Sequence, residues 1–127
     1  MTIEFLESYK SKVRQLDLLR EELKAEYLKG IDPSQVSVQS GNSDPTATLA
    51  LRSIELREKI SSEFNKLVRE IKNIQNYIFS IDDSECREIA MRRCIKGETY
   101  EKIGEEMFMH RTTARRKLQK YVAHNAH

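Results

Sequence analysis

Apolar residues recur through the first part of the chain in steps of three and four: Ile3, Leu6, Tyr9, Val13, Leu16, Leu19, Leu23 and Tyr27. That period places them on one side of an α-helix. Thr2 predicts its N-cap, and Lys29 with Gly30 predicts a basic last turn and a stop. A second, more regular series follows at heptad spacing: Leu49, Leu56, Ile60, Phe64, Leu67, Ile71, Ile74 and Ile78, with charges between. Asp44 before Pro45 predicts where that helix starts, a carboxylate for the free N–H groups and then a proline where no N–H is missed. Running to about Ser80, it would be on the order of 54 Å long. Between the two series, "IDPSQVSVQSGNSDP" holds both prolines of the chain and a cluster of Ser, Asn and Asp. This predicts a loop, with a brief extended piece at Val36 and Val38.

Two long amphipathic helices joined by one loop predict an antiparallel, coiled-coil-like hairpin. Phe5, Leu18, Leu51, Ile54 and Val68 fall off its seam. Helices gain most of their stability from packing an apolar face, so these residues predict a homodimer through the hairpin.

The remainder reads as three shorter helices. Asp82 or Asp83 caps the first and Gly97 ends it; Thr99 caps the second; a break at Phe108–His110 leads into the third. Cys86, Ile89, Met91, Ile95, Ile103, Met107, Met109, Leu118 and Val122 supply a small core, the Met107–Met109 run included. The expected fold is all-α: a helical hairpin over residues 1–81, then a three-helix module over 82–127.

At 127 residues the chain suits one domain, or one small domain with an extension. No stretch approaches the roughly 18 apolar residues of a membrane span, and Glu4 and Glu7 stand where a secretory signal would carry positive charge. A cytoplasmic protein without membrane association is expected. Cys86 and Cys94 lie about 12 Å apart along one expected helix, beyond disulfide reach, and read as buried free thiols.

Net charge is only +2, but its distribution is uneven. Beyond Glu106 there is no Asp or Glu, whereas Arg111, Arg115, Arg116, Lys117 and Lys120 follow in quick succession. The surrounding pattern fits a helix-turn-helix. Ile103 and Met107 face inward from the first helix, with Tyr100 at its entrance. Gly104 stands where the two helices touch and a small residue is required. Met109 follows the turn, His110 starts the next helix, and Ala114 and Leu118 point into the core. Arg111, Thr112, Arg115 and Arg116 then project outward, toward a major groove in which Arg reads guanine O6 and N7. Lys117 and Lys120 suit phosphate. Phosphate would repel Glu101, Glu105 and Glu106, which therefore face solvent or a protein partner.

Glu85–Val122 resembles the fourth conserved region of bacterial sigma factors, the module that reads the upstream promoter element. The whole chain, including "VSVQSGNSDP", resembles small phage and prophage regulators of the ArpU and RinA kind. The resemblance implies a DNA-binding activator of phage genes, with base-reading positions at His110, Arg111, Thr112, Arg115 and Arg116. With Thr113, Lys117 and Lys120 these form the candidate DNA-binding set. There are two departures: Phe108 stands where the pattern commonly has Gly, and Lys117 where many members are apolar. An aromatic residue resists positive φ, so a wider turn is expected.

The expected function is thus a sequence-specific, double-stranded-DNA-binding transcription regulator, acting with host RNA polymerase. The rival readings are a phage assembly or DNA-packaging subunit that binds DNA nonspecifically, and a protein-interaction adaptor. Enzymatic chemistry finds no Gly-rich phosphate loop, nucleophile set or metal motif, so no cofactor and no metal are expected. His124 and His127 read as a frayed end rather than a zinc site, and "SVQSGNS" as loop rather than phosphate nest.

Overall fold

The computed structural model describes residues 1–31 and 43–125, with side chains described over 1–25 and 54–125. Every regular element among them is helical. The expected loop, with Val36 and Val38, falls outside the described residues. So do the side chains of Tyr27, Leu49, Leu51 and His127. No described helix is long and apolar enough to cross a membrane.

Helix α1 is short, Ile3–Glu7, with the Thr2 side chain accepting from the Phe5 N–H. The uninterrupted first helix expected from periodicity is in fact broken at Ser8. The Ser8 N–H is shared between the Glu4 and Phe5 carbonyls, and its hydroxyl donates to the Phe5 carbonyl. Such local serine bonds compete with the helical ladder. Helix α2, Tyr9–Ile31, starts at once. It runs through Gly30, which was expected to end it; a lone glycine weakens a helix without forcing a stop. Helix α3, Ser43–Phe79, carries Asp44 and Pro45 in its first turn, where proline is tolerated.

Helix α4, Ser84–Ala90, is capped by the Asp83 carboxylate, which accepts from the N–H groups of Glu85 and Cys86 at 3.0 and 3.3 Å. It continues into a π turn, Met91–Ile95, closed by the Lys96 N–H on the Met91 carbonyl at 3.0 Å. Gly97, at φ +76°, ends the run as expected. Helix α5 spans Tyr100–Met107 behind Thr99, and helix α6 spans Arg111–His124 behind His110.

The chain forms two compact units, Met1–Arg14 with Arg69–His127, and Gln15–Val68. This division does not coincide with the boundary expected at residues 81 and 82. In the first unit, Leu6 of α1 and Ile74 and Ile78 of α3 bury with Ile81, Cys86, Ile89, Ala90, Cys94, Ile103, Ala114, Leu118 and Val122. The core of the C-terminal helices is therefore shared with residues far away in sequence. Burying each large aliphatic side chain stabilises the fold by about 1.5–3 kcal/mol. Polar links reinforce it: Gln75 donates to the Tyr9 hydroxyl at 2.9 Å, and Lys12 pairs with Glu70 at 3.0 Å. Two expectations fail here. Met91 is exposed rather than core, because two residues after Ile89 it stands on the other side of the helix. Phe5 is not left over but packs on the core, under the Lys12 ammonium 4.7 Å from its ring centroid.

In the second unit Ile60 and Leu67 are buried, and the Arg20 guanidinium lies 6.0 Å from the Phe64 ring centroid. Leu18 and Ile54 are exposed, in keeping with their off-seam positions. Leu56 is exposed too, although it shares the heptad line of Ile60 and Leu67. Spacing sets the direction of a side chain and not the cover above it.

Candidate nucleic-acid interface

The most specific local geometry lies between α5 and α6. Ile103 and Gly104 are buried beneath the crossing. Phe108 takes the left-handed conformation, φ 57° and ψ 47°, and the Met109 N–H closes the turn on the Gly104 carbonyl at 2.9 Å. This is how a helix C-terminus satisfies its last carbonyls, usually with glycine at the left-handed position. The wider turn expected from an aromatic residue does not occur. Nor does Phe108 join the core: it is 96% exposed. Met107 and Met109, on either side, are the residues that pack inward.

Helix α6 begins at His110, whose Nδ1 accepts from the Thr112 N–H at 3.1 Å. The proton of the neutral ring therefore sits on Nε2, an outward-facing donor. Ala114 and Leu118 are fully buried and Val122 nearly so, the inward register that the spacing predicts. His110, Arg111, Thr112, Thr113, Arg115, Arg116, Lys117 and Lys120 are all exposed. They do not share one direction. At about 100° per residue, Thr112, Thr113, Arg116 and Lys120 lie opposite Ala114 and Leu118. Arg111, expected to project outward with them, falls instead on the side of Leu118 and Val122 and lines a hollow with Glu101 and Glu105. Arg115 flanks the outward group toward α1, lining a hollow of about 350 Å³ with Ile3, Glu4, Glu7 and Gln119. Lys117 flanks the other side, where its ammonium is bonded to the Glu85 carboxylate of α4.

Pairing differs among the cations of this unit. Arg92 bonds Glu88 and Glu98, and Arg93 bonds Glu7. Among the described residues, the side chains of Arg111, Arg115, Arg116 and Lys120 have no ion pair or hydrogen bond. Cations left uncompensated on one helix are available to an anionic partner.

A second set of side chains holds the frame. The Glu7 carboxylate accepts from Arg93 at 3.0 Å and from the Tyr100 hydroxyl at 2.7 Å. The Arg93 guanidinium also lies 4.5 Å from the Tyr100 ring centroid and donates to the Glu98 carbonyl. Burial, then the Glu7 hydrogen bond, pushes the Tyr100 hydroxyl well above its ordinary range. Periodicity could not reveal this cluster, because its members come from three separate elements. Tyr121 similarly donates to Asp82 at 3.1 Å.

Both cysteines are free and buried. Burial, then the charge of Glu7, pushes the Cys94 thiol up to about 12; burial, then the charge of Asp83, pushes Cys86 up to about 11. Neutral thiols of this kind are packing groups, not nucleophiles. Among the described residues no group of His, Cys, Asp and Glu is placed to hold a metal ion. No protein family, no curated protein and no solved structure matches the chain.

Proposed function

We propose that α4, α5 and α6 form a helix-turn-helix module and that α6 enters the major groove of double-stranded DNA. In this reading the protein is a sequence-specific transcription regulator of the phage and prophage kind, an activator working with host RNA polymerase. The observation that carries it is the unpaired cationic face of α6, held behind a closed turn and a capped N-terminus. Arg116 supplies a bidentate donor for guanine from the outward face, and Arg111 adds a cation at the first turn of α6. Thr112, Thr113 and Lys120 supply phosphate contacts, and His110 Nε2 offers one further donor. Arg115 and Lys117 border the face.

A single module buries only about 600–1,000 Å² on DNA, so pairing of two copies would raise affinity. Exposed Leu18, Ile54 and Leu56 in the Gln15–Val68 unit support a homodimer built through an antiparallel hairpin of α2 and α3. The test is a gel-shift series on the DNA upstream of the protein's own gene, with scrambled DNA as competitor. Specific binding abolished by Arg111→Ala with Arg116→Ala supports the regulator. Binding that ignores sequence points instead to an assembly or packaging role, and absence of binding to an adaptor.

A further inference from the structure

Phe108 is the one non-glycine residue among those described with positive φ, and also the most exposed large apolar side chain. Left-handed backbone disfavours a bulky L-residue, and among the described residues nothing covers the ring to offset it. Glycine or asparagine would satisfy the turn at lower cost. Strain of this kind is a pointer to a role outside the fold.

The ring does not stand alone. Phe108 lines an open hollow of about 710 Å³ with Glu101, Gly104, Glu105, Met109, His110 and Arg111. Among the described residues the carboxylates of Glu101 and Glu105, like those of Glu4 and Glu106, have no ion pair or hydrogen bond, whereas Glu7, Glu70 and Glu98 are paired. Two uncompensated carboxylates outnumber the one guanidinium in this hollow, that of Arg111, and with the exposed ring they complement a surface that is apolar and positively charged.

We propose that the α5 face, with Phe108 at its tip and Glu101 and Glu105 beside it, docks a basic amphipathic segment of a partner protein. The ring enters an apolar pocket of the partner, and the two carboxylates pair with its Lys or Arg side chains. Cations of the partner also gain from lying over the ring face. The hollow also contains His110 and Arg111, so a partner seated there covers the first turn of α6, while Thr112, Thr113, Arg116 and Lys120 stay clear of it. The proposal does not depend on α6 binding DNA.

The test is an NMR titration of the full chain with a synthetic amphipathic helix of Leu, Lys and Ala, with a Glu-for-Lys version as control. Shifts centred on Phe108, Met109 and Glu105 are expected with the basic helix alone. Phe108→Asn, which suits the left-handed turn and keeps the fold, should weaken binding by about tenfold or more. Glu101→Lys with Glu105→Lys should abolish it. Shifts centred elsewhere, or undiminished binding by Phe108→Asn, overturn the proposal. So does a loss of DNA affinity in Phe108→Asn with peptide binding intact, since the ring would then belong to the DNA face. A wild-type chain that binds the peptide but no DNA would remove the regulator reading and leave this one standing.

Discussion

A Cβ built on Gly104 would stand 2.4 Å from the carbonyl oxygen of Met109 and 3.1 Å from the Arg111 nitrogen. Backbone, rather than a flexible side chain, blocks the space, so nothing nearby can move aside cheaply. Gly104→Ala should therefore force α5 and α6 apart and destabilise the fold by about 2–3 kcal/mol. A urea titration followed by circular dichroism would measure the shift. The same substitution should reduce DNA affinity by misdirecting α6. A Gly104→Ala variant as stable as the wild type would contradict this crossing.

The cations of α6 should be unequal. Arg116→Ala and Lys120→Ala remove unpaired charges on the outward face. If Arg116 reads a base, its loss should cost about 1–3 kcal/mol of binding, whereas Lys120→Ala should lower the dependence of log affinity on log salt by about one. Lys117→Ala should matter less, because its ammonium already has the Glu85 carboxylate as partner. Fluorescence polarisation across a salt series distinguishes the three.

Stability should fall in alkali, in a direction the buried acids fix. Cys86, Cys94 and Tyr100 all titrate higher in the folded chain than in the unfolded one. The unfolded state thus releases protons first, its thiols at about pH 8.5 and its tyrosines at about pH 10, and stability declines as pH rises through that window. The contribution is fully present below it. Urea midpoints measured between neutral pH and about pH 11 should fall steadily, and Cys94→Ala should flatten the decline relative to its own neutral value. Neither thiol should react with an aromatic disulfide reagent until denaturant is added.

The segment 82–127 should not fold alone. Cut from the chain, it loses Leu6, Ile74, Ile78 and Ile81 from its core. At about 1.5–3 kcal/mol for each, the loss is comparable with the roughly 5–15 kcal/mol that holds a typical domain together. The isolated fragment should give the circular dichroism spectrum of a largely unfolded peptide. A cooperative thermal transition would contradict the shared core.

Much of this arrangement could be read from local chemistry. The Asp83, Thr99 and His110 caps, the end at Gly97, the inward Ala114 and Leu118, and the glycine at position 104 all depend on neighbours a few residues away. What escaped was set by distant parts of the chain. The steps of three and four run through Ser8 without a break, so α1 and α2 look like one helix. Met91 is an exception: its apolar character assigns it to the core, although two residues after Ile89 and five after Cys86 it lies off their face. Phe108 misleads because composition ranks phenylalanine as a packing residue, while the left-handed turn sends its side chain into solvent. Lys117 resembles its basic neighbours in sequence; only the approach of α4 gives it Glu85.

The sharing of one core by Leu6 and Val122 also constrains how the protein is made. Helix α1 carries one wall of a structure whose opposite wall, α6, is synthesised well after it. Until α6 emerges, Leu6, Ile74 and Ile78 have no permanent cover, and the nascent chain presents them to any chaperone that binds greasy segments. Folding of this unit therefore waits for α6, while the stretch from Gln15 to Val68 is free to form its helices during elongation.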